Sequence, residues 1–294
     1  MNMTVSSLGY VRIAMRDPQQ WADVGQNILG FQSVTAEDGS VRLRLDEAPF
    51  RYLVEQSDTE GFVGAGWECS AESFAEIKGR LSESGAPVEE GTDIACAARA
   101  VQAYISTEDP SGNLVEIYHG RDAGGEFTSP LGIDYIAGKL GLGHAVLPAP
   151  DHAATSEFYR EILGLGLSDV LTLPAPMEGV PEMCIHFYHA GNPRHHSLAL
   201  FNGPAPSGVV HLMTEMTSID DVGACLDRVN EAELPITASL GRHVNDGMVS
   251  FYFLAPGGIP MEVGFDGLQF DWTDFEPTNS TVGDHWGHAY NFPE

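Results

Sequence analysis

A repeat constrains this chain more than any other feature. Ser7–Ala14 (SLGYVRIA) reads as a strand, and Asp17-Pro18 opens a helix from about Gln19 to Leu29 that stops at Gly30. Leu142–Leu147 (LGHAVL) also reads as a strand, leading through Asp151 into a helix that ends near Leu163 at Gly164. Tyr10 and His144, Asp17 and Asp151, and Gly30 and Gly164 are each 134 residues apart. Further on, the helical Glu76–Leu81 before Ala86-Pro87-Val88 matches Ala224–Val229 before Leu234-Pro235-Ile236. Tyr104–Gly120 then parallels Phe251–Gly267, two strand–turn–strand units that set Glu116 opposite Glu262. A tandem duplication accounts for all of these matches.

Each half then contains two βαβββ units. The expected fold is α+β, with four tandem βαβββ modules in two similar domains, residues 1–135 and 136–294. A linker covers about 121–139 and a tail runs from Leu268 to Glu294. A length of 294 residues exceeds a typical single domain and fits this division.

The second hairpin shows where chemistry could lie. Met248–Leu254 and Ile259–Phe265 are strands by composition, joined by the turn Ala255-Pro256-Gly257-Gly258. Strand side chains alternate, so Met261, Val263 and Phe265 share one face and Glu262 points to the other. His243, Asn245 and Asp246 lie just upstream. On the hairpin alone, a solvated sheet face and a ligand-holding carboxylate are both open readings.

The repeat serves as an internal control. The C-terminal half has His144 where the N-terminal half has Tyr10, and His211 (in VVHLM) where the N-terminal half has a small residue near Gly64. Only the glutamate is present in both. One live metal site and one vacant copy explain the pattern. Two histidines and a carboxylate from three strands form a facial triad suited to non-heme Fe(II), with open positions for substrate and O2. Zn(II) or Mn(II) would also accept these ligands.

Composition narrows the partners. Fourteen Lys and Arg against 42 Asp and Glu give a formal charge of −28. Nucleic acid is excluded as an expected partner, because phosphate binding needs basic patches, and an anionic membrane would repel the chain. Cys69, Cys96, Cys184 and Cys225 are scattered, with no CxxC pair, which suits a reducing compartment. No secretory signal and no apolar run of about 18 residues is visible, so a cytoplasmic location is expected.

Several ordered motifs carry a family resemblance: GLGHAV around His144, NPRHHSLA over Asn192–Ala199, GVVHLM around His211, GRHVND over Gly241–Asp246, Ser250-Phe251-Tyr252, MEVGFDG around Glu262 and the tail Trp286-Gly287-His288. Over nearly its whole length the chain resembles the type I extradiol catechol dioxygenases of the vicinal-oxygen-chelate fold. The likeness is strongest to those that cleave 2,3-dihydroxybiphenyl and the related steroid catechol.

The resemblance implies Fe(II) held by His144, His211 and Glu262, with Mn(II) as second choice of metal. It implies His196 as the acid–base histidine, at a near-neutral pKa, and His243 and Tyr252 as residues that bind substrate oxygens, supported by Asp246. His195 is expected to be structural, facing away from His196 as adjacent strand residues do. The implied reaction is extradiol (meta) cleavage of a bulky catechol by O2 to a 2-hydroxy-6-oxo-dienoate, in a homo-oligomer. Steroid and polycyclic catechols are the alternative substrates.

Phe187 is the expected substrate contact, and the Pro- and Met-rich Leu173–Met183 could wall an apolar cavity. His186 and His189 read as structural or exposed, and Trp67, Trp272 and Trp286 as core or interface aromatics. Two other functions use the same fold. A glyoxalase-like enzyme would pair metal ligands from two modules and has no need of His196 or His243. A non-catalytic binding protein would lack the His–His–Glu set.

Overall fold

In a computed structural model the structure describes residues 3–175, 179 and 181–291. The first half contains β1 (Val5–Met15), α1 (Gln19–Val24), β2 (Gln32–Thr35), β3 (Val41–Arg44), β4 (Tyr52–Gln56), β5 (Gly61–Cys69), α2 (Ala71–Ser84), β6 (Glu89–Glu90), α3 (Asp93–Arg99), β7 (Val101–Glu108) and β8 (Leu114–Arg121). The second contains β9 (His144–Pro148), α4 (His152–Glu157), β10 (Gly166–Leu173), β11 (Met183–His189), β12 (Leu198–Phe201), β13 (His211–Glu215), α5 (Ile219–Glu231), β14 (Ile236–His243), β15 (Val249–Ala255) and β16 (Ile259–Phe265). The tail adds β17 (Thr278–Ser280) and β18 (Asp284–Trp286).

The repeat is visible in the pairing. The first and last long strands of each module run parallel: β1 with β4, β5 with β8, β9 with β12 and β13 with β16. Modules join in antiparallel fashion through β1–β5 and β9–β13. The result is one sheet of eight strands and one of ten, with the tail strands β17 and β18 at the two margins of the larger. Helices α1 and α4 each run on into a five-residue π-helical turn, Gly25–Leu29 and Phe158–Ile162. The duplicated glycines Gly30 and Gly164 follow these turns at φ 77° and 71°, where a side chain would be strained.

One apolar core joins the halves. Trp21, Trp67, Tyr159, Leu212, Phe251 and Phe253 all belong to it. Polar ties cross between the halves as well: the Trp21 indole donates to the Pro256 carbonyl (3.1 Å) and Arg228 donates to the Ile28 carbonyl (2.9 Å). Residues that alternate with this core point to the other, concave face of each sheet.

Register refines the hairpin alignment. Ser106 pairs with Glu116 as Tyr252 pairs with Glu262, so the second hairpin follows the first at a spacing of 146. The end-to-end match of Tyr104–Gly120 with Phe251–Gly267 is therefore displaced by one residue along both strands, and Ser250, not Phe251, stands at the place of Tyr104. Elsewhere the alignment is exact in position: Gly64 pairs with Arg12 as His211 pairs with Val146.

On the concave face of the first half the glutamate is fully engaged. Glu116 accepts from the Tyr10 hydroxyl (2.6 Å), from Arg12 (2.7 Å) and from two nitrogens of Arg99 (2.8 and 2.5 Å). Arg99 comes from α3, an insertion between β6 and β7 for which the second half has no counterpart. Cys96 and Ala100 pack with Tyr10, Phe50 and Tyr118 to fill that face. Two guanidinium groups thus stand where a cation would be needed.

Candidate metal centre

Three adjacent strands of the larger sheet, β9, β13 and β16, carry His144, His211 and Glu262 onto its concave face. Met213 pairs with His144 on one side and with Glu262 on the other, which sets the two ligand candidates level. Gly143 admits this entry into β9. It sits at φ 140°, and a Cβ there would lie 2.1 Å from the Met213 carbonyl oxygen.

The donor atoms converge. His144 Nε2 lies 3.1 Å from His211 Nε2 and 3.1 Å from Glu262 Oε2, and His211 Nε2 lies 3.3 Å from the same oxygen. These separations suit neighbouring corners of a coordination sphere with bonds of about 2.1 Å. Protons alone satisfy the set poorly. If both imidazoles donate to Glu262 Oε2, two N–H groups face each other across 3.1 Å; a cation removes that conflict. The residues present therefore fit a metal.

Burial sharpens the electrostatics. Burial first, and then nearby His211, lower the pKa of His144 and keep it neutral, as a ligand must be. Glu262 is 1% exposed. Burial alone would raise its pKa, but contacts with His144, His211 and His243 hold the carboxyl well below the usual range.

A turn before β12 supplies the next histidines. His195 and His196 do not lie on a strand, which corrects the alternation argument; both are buried, with their Nδ1 atoms 2.9 Å apart. The turn is fixed by Arg194, which donates to buried Glu215 and to the Ile136 carbonyl. The His196 ring stacks on His144 (4.1 Å between centroids) and meets Phe187 edge-on (4.8 Å). Asp246 Oδ2 lies 3.9 Å from His196 Nδ1, beside the 195–196 pair, and its charge also helps to raise the pKa of His243. The His196 pKa is not near neutral in this chain. Burial, reinforced by His144 and His195, pushes it well below its ordinary value.

On the opposite flank, His243 Nε2 lies 2.7 Å from the Tyr252 hydroxyl and 3.2 Å from Glu262 Oε1. Its Nδ1 is 2.8 Å from Asp284 Oδ1. Burial opposes the charged form of His243, but Asp284 and Glu262 prevail and raise its pKa to about 10. Asp284 and His288 come from the tail and are absent from the residues expected from sequence. His288 Nδ1 lies 2.6 Å from Asp284 Oδ1, and its ring occupies the space where a Cβ on Gly241 would fall (2.5 Å). The Asp-x-x-x-His spacing in a tail that already carries a recognisable motif was the available signal.

Beside the triad the concave face is apolar: Val146, Leu171, Phe187 and Ala199 cluster, with Leu173, Ile185, Phe201 and Val210 packed against them. The Leu173–Met183 wall falls partly outside the described residues, at 176–178 and 180. Of the remaining aromatics, Trp67 is buried and Trp272 stacks on buried His189 at 3.5 Å, but Trp286 is half exposed on β18. Among the described residues, no helix is long and apolar enough to cross a membrane, and all four cysteines are free.

Paired βαβββ modules with a convergent His–His–Glu set are the architecture of the vicinal-oxygen-chelate class. Residues 141–263 match the Glyoxalase/Bleomycin resistance protein/Dioxygenase superfamily, and residues 8–56 match Dihydroxybiphenyl dioxygenase BphC D1. The chain is 38% identical to an iron-dependent extradiol dioxygenase of Rhodococcus jostii (strain RHA1), covering 98% of each. It is 34% identical to a biphenyl-2,3-diol 1,2-dioxygenase of Metapseudomonas furukawaii, covering 97% of this chain and 94% of the relative. Among solved structures, BphC, a halotolerant catechol dioxygenase, superposes with a TM-score of 0.88 at 32% identity, over 97% of this chain and 95% of that one. The chain belongs to the type I extradiol dioxygenases, oxidoreductases that open catechol rings with O2.

Proposed function

We propose that this protein cleaves a bulky catechol of the 2,3-dihydroxybiphenyl type between a hydroxyl-bearing carbon and the adjacent ring carbon that bears no hydroxyl, at one Fe(II) held by His144, His211 and Glu262. The observation that carries the reading is the convergence of those three donor atoms beside an apolar wall containing Phe187. Such a wall buries a second ring, and burial of apolar surface is worth roughly 25 cal/mol per Å². The R. jostii relative, named as iron-dependent, supports the choice of iron.

Bound Fe(II) would lower the pKa of a catechol hydroxyl and let O2 draw electron density from the ring. The other work falls to this chain's residues. His196, neutral in the free protein, accepts the remaining catechol proton, with Asp246 3.9 Å away to support the charge it gains, and returns the proton to oxygen as the ring opens. His243, its Nδ1 fixed by Asp284, and Tyr252 hydrogen-bond the substrate oxygens. Phe187 covers the His196 edge and excludes water. With a domain boundary near residue 135, all of these residues belong to the second half, and the first serves as a scaffold in this reading.

The glyoxalase-like alternative is not separated by ligand origin, because His144 lies in the third module and His211 and Glu262 in the fourth. The placement of His196 and His243 around the triad favours ring cleavage instead. The test is anaerobic loading with Fe(II), then 2,3-dihydroxybiphenyl and air. The expected result is equimolar O2 uptake with a yellow dienoate. Absence of both with every catechol tried, in protein shown to hold iron, overturns the proposal.

A further inference from the structure

A second group of donors lies on the convex side of β11, outside the centre described above. Cys184 and His186 are two apart on that strand and share a face, while Ile185 and Phe187 between and beyond them point to the concave wall. His152, the first residue of α4, packs over the same spot. Its ring meets that of His186 at right angles, with centroids 4.2 Å apart. One ring nitrogen of each histidine and the Cys184 sulfur all lie within 4.8 Å of one another. All three side chains are half-buried, so an ion can reach them from solvent.

The surroundings resemble those of ligands rather than of packed core residues. Metal-bound histidines commonly donate their second N–H to an oxygen, which fixes the ring and its tautomer. His152 Nε2 is 3.2 Å from the Leu200 carbonyl, an acceptor only, so that nitrogen carries the proton and Nδ1 keeps its lone pair. His186 Nδ1 is 3.3 Å from the Tyr188 hydroxyl, which in turn lies 2.5 Å from Ser156 Oγ. Thr172 faces Cys184 across the β10–β11 pair, a hydroxyl beside the sulfur. Burial lowers the pKa of both histidines, that of His186 to about 4, and both are neutral at pH 7.

The geometry points to a second metal site formed by His152, Cys184 and His186, selective for a thiophilic ion such as Zn(II) and distinct from the His–His–Glu centre. Two imidazoles and one thiolate suit borderline-soft cations, whereas the centre on the concave face offers no sulfur. Tetrahedral Zn(II), with bonds of about 2.3 Å to sulfur and about 2.1 Å to nitrogen, needs donor separations of roughly 3.6 Å. The three donors, all within 4.8 Å of one another, would close to that spacing on binding. On binding, the Cys184 thiol gives its proton to water, the sulfur donates to the ion, and a water completes the fourth position.

Co(II) is the probe, added anaerobically to the iron-loaded full chain. A thiolate ligand gives an intense sulfur-to-cobalt charge-transfer band in the near ultraviolet, which cobalt at a His–His–Glu centre cannot give. The expected result is that band, saturating at one equivalent, with the tetrahedral visible bands that accompany it. Cys184→Ser should abolish the charge-transfer band while iron content stays the same. His152→Ala should weaken Zn(II) binding about tenfold or more in competition with a chromophoric chelator. No thiolate band in the wild-type protein overturns the proposal. A band that survives in Cys184→Ser also overturns it, because the sulfur then belongs to another cysteine. If Cys184→Ser fails to fold, His152→Ala alone decides: unchanged Zn(II) affinity rejects the site. None of these readouts depends on ring cleavage.

Discussion

Glu116 and Glu262 occupy the same register position in two copies of one hairpin, each paired in parallel fashion with the first strand of its module. Glu116 is clamped by Arg12, Arg99 and Tyr10, whereas Glu262 is shared among the imidazole nitrogens of His144, His211 and His243. A buried carboxylate needs positive charge nearby, and the two halves meet that need in different ways.

Replacing the metal-side glutamate separates the two solutions. Glu262→Gln should lose iron on dialysis and lose turnover by more than about a hundredfold, with the far-ultraviolet circular dichroism unchanged. Iron analysis by mass spectrometry beside the turnover assay is the measurement. Retention of stoichiometric iron would remove Glu262 from the ligand set.

His196→Ala should keep iron and lower kcat by roughly 10²- to 10⁴-fold, the range typical of a missing acid–base group. A variant that instead arrives without iron would make His196 a ligand, and would reassign the His144 stacking contact to the metal sphere.

Asp284→Asn tests the tail. With the partner of His243 Nδ1 made neutral, its raised pKa of about 10 should fall, and the acidic partner that orients the ring is lost. The expected outcome is a kcat/KM lowered about tenfold or more at unchanged iron content, a loss comparable to that of other supporting partners. Equal kinetics for wild type and variant across pH 6–9 would deny Asp284 this positioning role.

The first half offers a test by pH. Burial would raise the Glu116 pKa, but Arg99 and Arg12 prevail and lower it below its ordinary value. A carboxylate depressed in the folded state stabilises fully above its unfolded pKa, about 4.3, and that contribution disappears as pH falls through the folded value. Glu116→Gln should therefore cost about 3 kcal/mol or more at pH 7, where it breaks a buried pair, and progressively less below about pH 4. Urea unfolding of both proteins from pH 7 to pH 3.5 reads the difference; a gap that widens on acidification contradicts the pairing.

The repeat was legible because duplicated breakers, Asp17 and Asp151 or Gly30 and Gly164, punctuate both halves at one spacing. The metal candidates were legible because His144 and His211 replace Tyr10 and Gly64 at matched strand positions. Other features depend on packing that sequence periodicity cannot express. The hairpin slip shows only in the pairing of Ser106 with Glu116. His195 and His196 lie in a turn held by the long-range Arg194–Glu215 pair, so period-2 alternation did not apply to them. Asp284 and His288 reach the site because the tail folds back along β14, a contact between segments some 40 residues apart. The depressed pKa of His196 follows first from its burial and then from His144 and His195, and burial is set by the tertiary fold.

The tail strands have a further consequence. β17 lies along β10 and β18 along β14, so both outer margins of the ten-stranded sheet end in three-residue strands from one segment. Long bare margins recruit other chains by strand addition, and short ones resist it. Shortening the protein before Thr278 would expose backbone donors and acceptors on β10 and β14 while also removing Asp284. One deletion would then strip the sheet of both edge covers and His243 of its acidic partner.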